Sequence, residues 1–398
     1  MLKQSVKILA ATLNSQVLTQ RRKHPPARLI HHPHHRRTQD FFAPGHLHQP
    51  HTNVSRQLHF NRPSQPSRTP LIDMVKAMAC ITIVWHHLAF YGPMSDIAQP
   101  LAPALMAWLY DYGRMAVQVF LVLGGYLAAA SLAPQGVARF DHAGNAVAKR
   151  FVRLVVPYAV ALLLTVVVAA LVRPWMEHPS VPEEPTLAQL LANALLLQDI
   201  VDEDALSAGV WYVAIDFQLF ALSVLLWAGV RALPGAWAQR HRAVLARVLI
   251  VAGVAASLWV FNRMAGLDMW AIYFLGAYGL GMLAYWAVRA ASPVGWLSAM
   301  VLLGGVALAL DFRGRIVVAL VTALCLVVAL RSERLRAWGG FAPLVRVGQM
   351  SYSIFLVHFA VCLLVNAVVS HLWPASPVPN ALGMLLAFVL YLAAGRLL

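Results

Sequence analysis

From about residue 71 to its last residue the chain repeats strongly apolar runs of about twenty residues, and this repetition constrains the fold more than any other feature. A helix of that length, rising about 1.5 Å per residue, spans a hydrocarbon core of about 30 Å. Lipid supplies no hydrogen-bond partners, so each run must satisfy its own backbone, which a helix does and an open strand does not. Only 12% of the residues are charged, against about a quarter in soluble domains. The sequence therefore predicts an all-α integral membrane bundle of about ten transmembrane helices, preceded by a basic N-terminal segment. The spans are expected at 71–91, 114–133, 151–172, 209–230, 243–261, 269–288, 294–310, 314–330, 349–369 and 378–398. Two regions follow: residues 1–70, and a transmembrane domain over 71–398.

The formal net charge is +15, yet residues 1–70 hold eleven Lys/Arg and one acidic residue. The high charge thus belongs mostly to the His/Arg/Pro-rich segment and gives no reason to expect a nucleic-acid partner. That segment has no helical or strand periodicity and cannot bury a core, so it is expected to be disordered. Other readings stay open. His31, His32, His34 and His35 could bind a transition metal, and the arginines could lie on anionic headgroups. The stretch could also be an artefact of start-site choice upstream of Met74. No apolar region with a small-residue cleavage site follows its charges, so it does not read as a signal peptide. Cys80, Cys325 and Cys362 fall inside apolar runs and read as small buried hydrophobes. No metal is expected in the spans.

Charges in the connections give an orientation. Arg139, Lys149 and Arg150 lie between the second and third spans, with Arg153 at the start of the third. Arg231, Arg240, Arg242 and Arg247 follow the fourth, and Arg331, Arg334, Arg336 and Arg346 follow the eighth. All three are even-numbered connections and share one side. The third-to-fourth connection is acidic instead, with Glu177, Glu183, Glu184, Asp199, Asp202, Glu203 and Asp204. The positive-inside rule then places both termini in the cytoplasm, in a plasma membrane of bacterial type.

The first span, LIDMVKAMACITIVWHHLAFY, retains Asp73, Lys76, His86 and His87. Ionisable groups inside a span are costly and by default mark function. Lys76 and His87 are eleven residues apart, which leaves them about 20° from one face and about 16 Å apart along the axis. Asp73, at i−3 from Lys76, can pair with it. A stripe thus runs from an ion pair at the cytoplasmic end to an imidazole deep in the outer half, with His86 pointing about 90° away. The plainer alternatives are a snorkelling lysine and a histidine that hydrogen-bonds between helices.

The pattern D-x-x-K-x10-H resembles the opening motif of the acyltransferase-3 family of polytopic membrane O-acyltransferases. Four further stretches resemble that family's motifs in order: FLVLGGYL at 120–127, KRFVRLVVPY at 149–158, WYVAIDF at 211–217 and VGQMSYSIFLVH at 347–358. The likeness extends over about 75–398. The chain also departs from the family pattern. Gly124 stands where the family has serine, Asp216 where it has glutamate, Tyr212 where it has serine, and Lys76 where arginine is usual. Lysine cannot fork onto two oxygens as arginine does.

The resemblance implies transfer of an acyl group, commonly acetyl, from cytoplasmic acyl-coenzyme A as co-substrate to a carbohydrate hydroxyl at the outer face. Exopolysaccharide, lipopolysaccharide and glucan are the acceptors it suggests. Lys149, Arg150 and Arg153 would receive the coenzyme's phosphates, although positive-inside topology alone also accounts for them. His87 would act as general base or transient acyl carrier, at the end of the Lys76 stripe. Asp216 enters from the opposite side at a depth close to that of His87 and could orient its imidazole, bind the acceptor or pair with a buried cation. Ser351, Tyr352 and His358 follow as supporting residues, while Gly124 and Gly125 read as close-packing positions. A proton-coupled carrier of a small organic solute would also want an intramembrane His, Asp and Lys. So would a non-catalytic subunit of a glycan-export complex.

Overall fold

The computed structural model describes residues 69–398; the basic segment at 1–68, with its histidine clusters, lies outside the described residues. Among the described residues there is no strand, and nine helices are long and apolar enough to cross a membrane. In chain order the helices are α1 (Pro70–Phe90), α2 (Met94–Ala98), α3 (Pro103–Tyr112), α4 (Ala116–Leu132), α5 (Ala143–Val172), α6 (Leu187–Ala194), α7 (Gln198–Val201) and α8 (Val210–Ala232). Then follow α9 (Ala236–Trp259), α10 (Ala271–Arg289), α11 (Val294–Leu310), α12 (Gly314–Arg331), α13 (Glu333–Ala337), α14 (Ala342–Gln349), α15 (Ser351–Leu372) and α16 (Pro377–Ala394). A helix occupies each of the ten expected spans. The seventh, α11, has 17 residues, a length that bilayers accommodate by local thinning at modest cost.

Three spans begin well before their expected starts; the fifth, α9, begins at Ala236 rather than 243. The second begins at Pro103, because α3 and α4 are joined by a 3-10 turn at Gly113–Met115. Gly113 is required there, since a Cβ would come 2.7 Å from the Cβ of His86. The third, α5, runs 30 residues through Pro157, about 45 Å at helical rise, and so projects beyond the hydrocarbon.

The axis of the bundle is α10, whose apolar window is 83% buried against 28% for α9 and α16. Its closest partner is α4, and glycine on each side makes the approach possible. A Cβ on Gly125 would overlap the Tyr278 carbonyl, and one on Gly281 would overlap the Val122 carbonyl. Small residues that let helix backbones meet are the usual device of lipid-embedded packing, where apolar burial alone offers little drive. Gly281→Leu is therefore expected to destabilise the fold by about 3 kcal/mol or more, the upper end for overpacking. Gly305→Leu is the control, because a Cβ at Gly305 meets nothing. Melting of the detergent-purified protein should fall for the first variant and stay put for the second. At the other end of the bundle α14 lies on the start of α1 in the same way, Gly348 against the Asp73 carbonyl.

Candidate functional site

His86 and His87 close the last turn of α1, and both are buried, at 6% and 7% exposure. His87 Nδ1 lies 2.6 Å from Nε2 of His358 on α15, and the two rings stack with centroids 4.6 Å apart. His358 Nδ1 in turn lies 2.5 Å from the Phe355 carbonyl oxygen. A carbonyl can only accept, so His358 Nδ1 carries a hydrogen. In the neutral pair His358 Nε2 is then an acceptor and His87 Nδ1 donates to it. The chain of assignments leaves His87 Nε2 with a bare lone pair. The same logic applies to His86, whose Nδ1 donates to the Leu109 carbonyl at 2.9 Å. Gly209, at the start of α8, backs the dyad. Its φ of +76° favours glycine, and a Cβ there would come 2.8 Å from the Phe355 ring and 3.3 Å from His87 Cε1.

Both imidazoles line a cavity of about 1060 Å³. Its other walls are α3, the 3-10 turn and the acidic connection between α5 and α8, so it opens at the acidic end of the bundle. That connection has a defined structure. Thr186 caps α6 by accepting from the Gln189 amide. Asn193, fully buried, donates to the Asp204 carbonyl and accepts from the Leu206 amide. Arg173 donates to the carbonyls of Pro182 and Glu183. Burial pushes the Asp199 carboxyl up from its ordinary range.

The remaining predicted residues fall elsewhere. Asp73 and Lys76 pair at 3.3 Å at the far end of α1. Asp216 is not paired with His87; it forms a buried ion pair with Arg150 on α5. The rings of Tyr212 and Tyr278 lie around that pair, and a Cβ at Gly124 would sit 3.4 Å from Asp216 Oδ1. Tyr212 meets Phe355, 5.9 Å between centroids, and Phe355 meets His358 at 5.7 Å, so aromatic rings connect the ionic centre to the dyad. Of the three readings open for Asp216, the structure shows pairing with a cation rather than contact with His87, because matching depth says nothing about direction around the helix, and α8 turns Asp216 toward α5. Arg150 likewise leaves the expected cationic cluster. It points inward, also stacking on Phe220, while Lys149 and Arg153 stay exposed. Ser351 donates to the Gly348 carbonyl at the α14–α15 break, and Tyr352 donates to the Leu154 carbonyl, tying α15 to α5. Close packing accounts for Gly125.

Two cavity residues have no assigned role in the sequence reading. His86 was expected to point away from His87, yet α3 folds over it and encloses both in one wall. Arg114, the first residue of the expected second span, has no role in the sequence reading.

The described residues thus define a helical membrane bundle with a buried imidazole pair opening on a cavity. The model of an acyltransferase domain matches residues 70–396, and the chain belongs to the acyltransferase-3 family. It is thus a membrane acyltransferase by family. No curated protein and no solved structure gives a match to the chain.

Proposed function

We propose that the protein transfers an acyl group, acetyl in the first instance, from acyl-coenzyme A on the cytoplasmic side to a hydroxyl of an envelope or exported carbohydrate on the outer side. The observation that carries this reading is the His87–His358 dyad, with an unpartnered Nε2 facing a cavity large enough for a glycan. In the proposed step His87 Nε2 takes the proton of the acceptor hydroxyl as its oxygen attacks the thioester carbonyl carbon. The C–S bond breaks, an O–C ester bond forms, and the thiolate leaves with the proton returned by the imidazolium. His358 holds the reactive tautomer and accepts from the Nδ1–H that gains charge during transfer. Lys149 and Arg153, exposed near the end where Asp73 and Lys76 pair, would hold the phosphates of the donor. The positive-inside rule supports this orientation, with the acidic cavity outside.

The test uses membrane vesicles supplied with labelled acetyl-coenzyme A on the cytoplasmic face. Label appearing on carbohydrate, and absent from vesicles lacking the protein, is the expected result. Saturable uptake of a solute without label transfer would replace this reading with a carrier.

A further inference from the structure

The cavity beside His87 continues past Arg114. A second cavity of about 730 Å³ shares Arg114, Glu203, Asp204 and Trp211 with it, so the two are parts of one vestibule. Together they exceed the roughly 300–1,000 Å³ that holds a drug-sized ligand. Only the first part contains the imidazoles; the second leads away from them along Trp211, Tyr273 and Phe274. An acceptor that filled both would have units beyond the one whose hydroxyl reacts.

The charge of the vestibule is predominantly negative. The carboxylates of Asp111, Glu183, Asp202, Glu203, Asp204 and Asp268 line it, and among the described residues none has a side-chain hydrogen bond or ion pair. Its arginines are mostly engaged. Arg313 is held by Asn262 and Asp311, and Arg315 by the Asn262 carbonyl and the Tyr273 ring. Arg114 alone of the three has no such partner among the described residues. A low-dielectric cleft lined by one sign focuses that field on whatever enters. Free carboxylates are also strong acceptors for hydroxyl and ammonium donors, and have nothing to offer another carboxylate. Independently of the acids, the His87 side chain, more than nine-tenths buried, lines the same space and leaves its Nε2 without a hydrogen-bond partner among the described residues.

We infer that the vestibule is a binding site for a hydroxyl-rich oligomer of several units that is uncharged or carries amines, and that it excludes uronate- and phosphate-bearing chains. The inference rests on the acyl-transfer reading for the fate of the ligand, and on the vestibule's shape and charge for its chemistry. Sugar hydroxyls meet the carboxylates, the apolar face of a ring packs on Trp211, and the reacting hydroxyl lies at the imidazole end.

Calorimetric titration of the purified full-length protein in detergent, without acyl donor, tests it. The probes are glucose and tetramers of glucose, glucosamine and galacturonate. The glucose or glucosamine tetramer should bind at least about ten-fold tighter than the galacturonate tetramer at low salt. The gap should narrow as added salt shortens the screening length below about 10 Å. Glucose itself should bind at least about ten-fold more weakly than its tetramer, as expected when several subsites act together. Asp202→Asn/Asp268→Asn, in the part away from the imidazoles, should raise galacturonate affinity several-fold. Equal or tighter binding of galacturonate overturns the inference, as does equal affinity for monomer and tetramer or no binding by any probe. Because no donor is present, selective binding would stand even if the transfer assay failed, and such a failure would count against the acyltransferase step alone.

Discussion

His87→Ala should reduce acyl transfer by at least about 100-fold per folded protein, the contribution expected of a positioned general base; it also removes a buried ring stacked on His358, so rates are compared at equal folded amount. The cavity side of His87 makes no bond that the fold needs; its one hydrogen bond is to His358. His358→Ala removes the acceptor that holds the His87 tautomer and should cost about ten-fold or more. Glutamine at 358 offers an amide oxygen near the place of Nε2, so His358→Gln should recover part of what His358→Ala loses. A role in packing alone would not distinguish these two variants in rate at equal stability. Parental transfer by His87→Ala, measured with labelled acetyl-coenzyme A and the carbohydrate acceptor, would sink the proposed role of the imidazole.

The sequence exposed this site only in part, and the reasons are geometric. Hydropathy located all ten helices, because a span has to be long, apolar and self-satisfied in hydrogen bonding. The same rule made Asp73, Lys76, His86 and His87 conspicuous, since ionisable groups in such a run need an explanation. Helical periodicity then gave the Asp73–Lys76 pair, a local i, i+3 contact that the structure contains at 3.3 Å. Contacts between helices were beyond its reach. His358 is 271 residues from His87, and only a family likeness drew attention to it. Asp216 shows how such inference goes wrong: its depth along α8 follows from counting residues, whereas its direction depends on how α8 packs on α5 and α10. Arg150 was read as a loop cation because α5 was expected to begin at 151. The helix in fact starts at Ala143, which puts Arg150 on a turn facing Asp216. His86 was misplaced for a related reason, as its partner surface, α3, was not expected to be helical.

Asp216→Leu should destabilise the protein by about 2–3 kcal/mol, because it leaves the inward-turned, mostly covered Arg150 without its counter-charge. Arg150 is poorly placed to find a substitute. Its Nε is already buried without a partner, and its other neighbours are the rings of Phe220, Tyr212 and Tyr278. Arg150→Met should also destabilise, by less, since the stranded carboxyl can take up a proton and become neutral. The double variant Arg150→Met/Asp216→Leu removes both charges and fills the space with apolar atoms, and should lie within about 1 kcal/mol of the parent. Thermal unfolding of the purified proteins in one detergent gives all three comparisons. A double variant as unstable as Asp216→Leu would show that this centre is held by the shape of its side chains and their packing on the surrounding rings. Recovery would show instead that the cost of either single change is the cost of one uncompensated charge in the middle of a membrane bundle. Acyl transfer by the recovered double variant then separates the two roles open to the pair. Retained transfer makes it a tie between α5 and α8, and lost transfer at full stability makes the charges themselves part of the reaction.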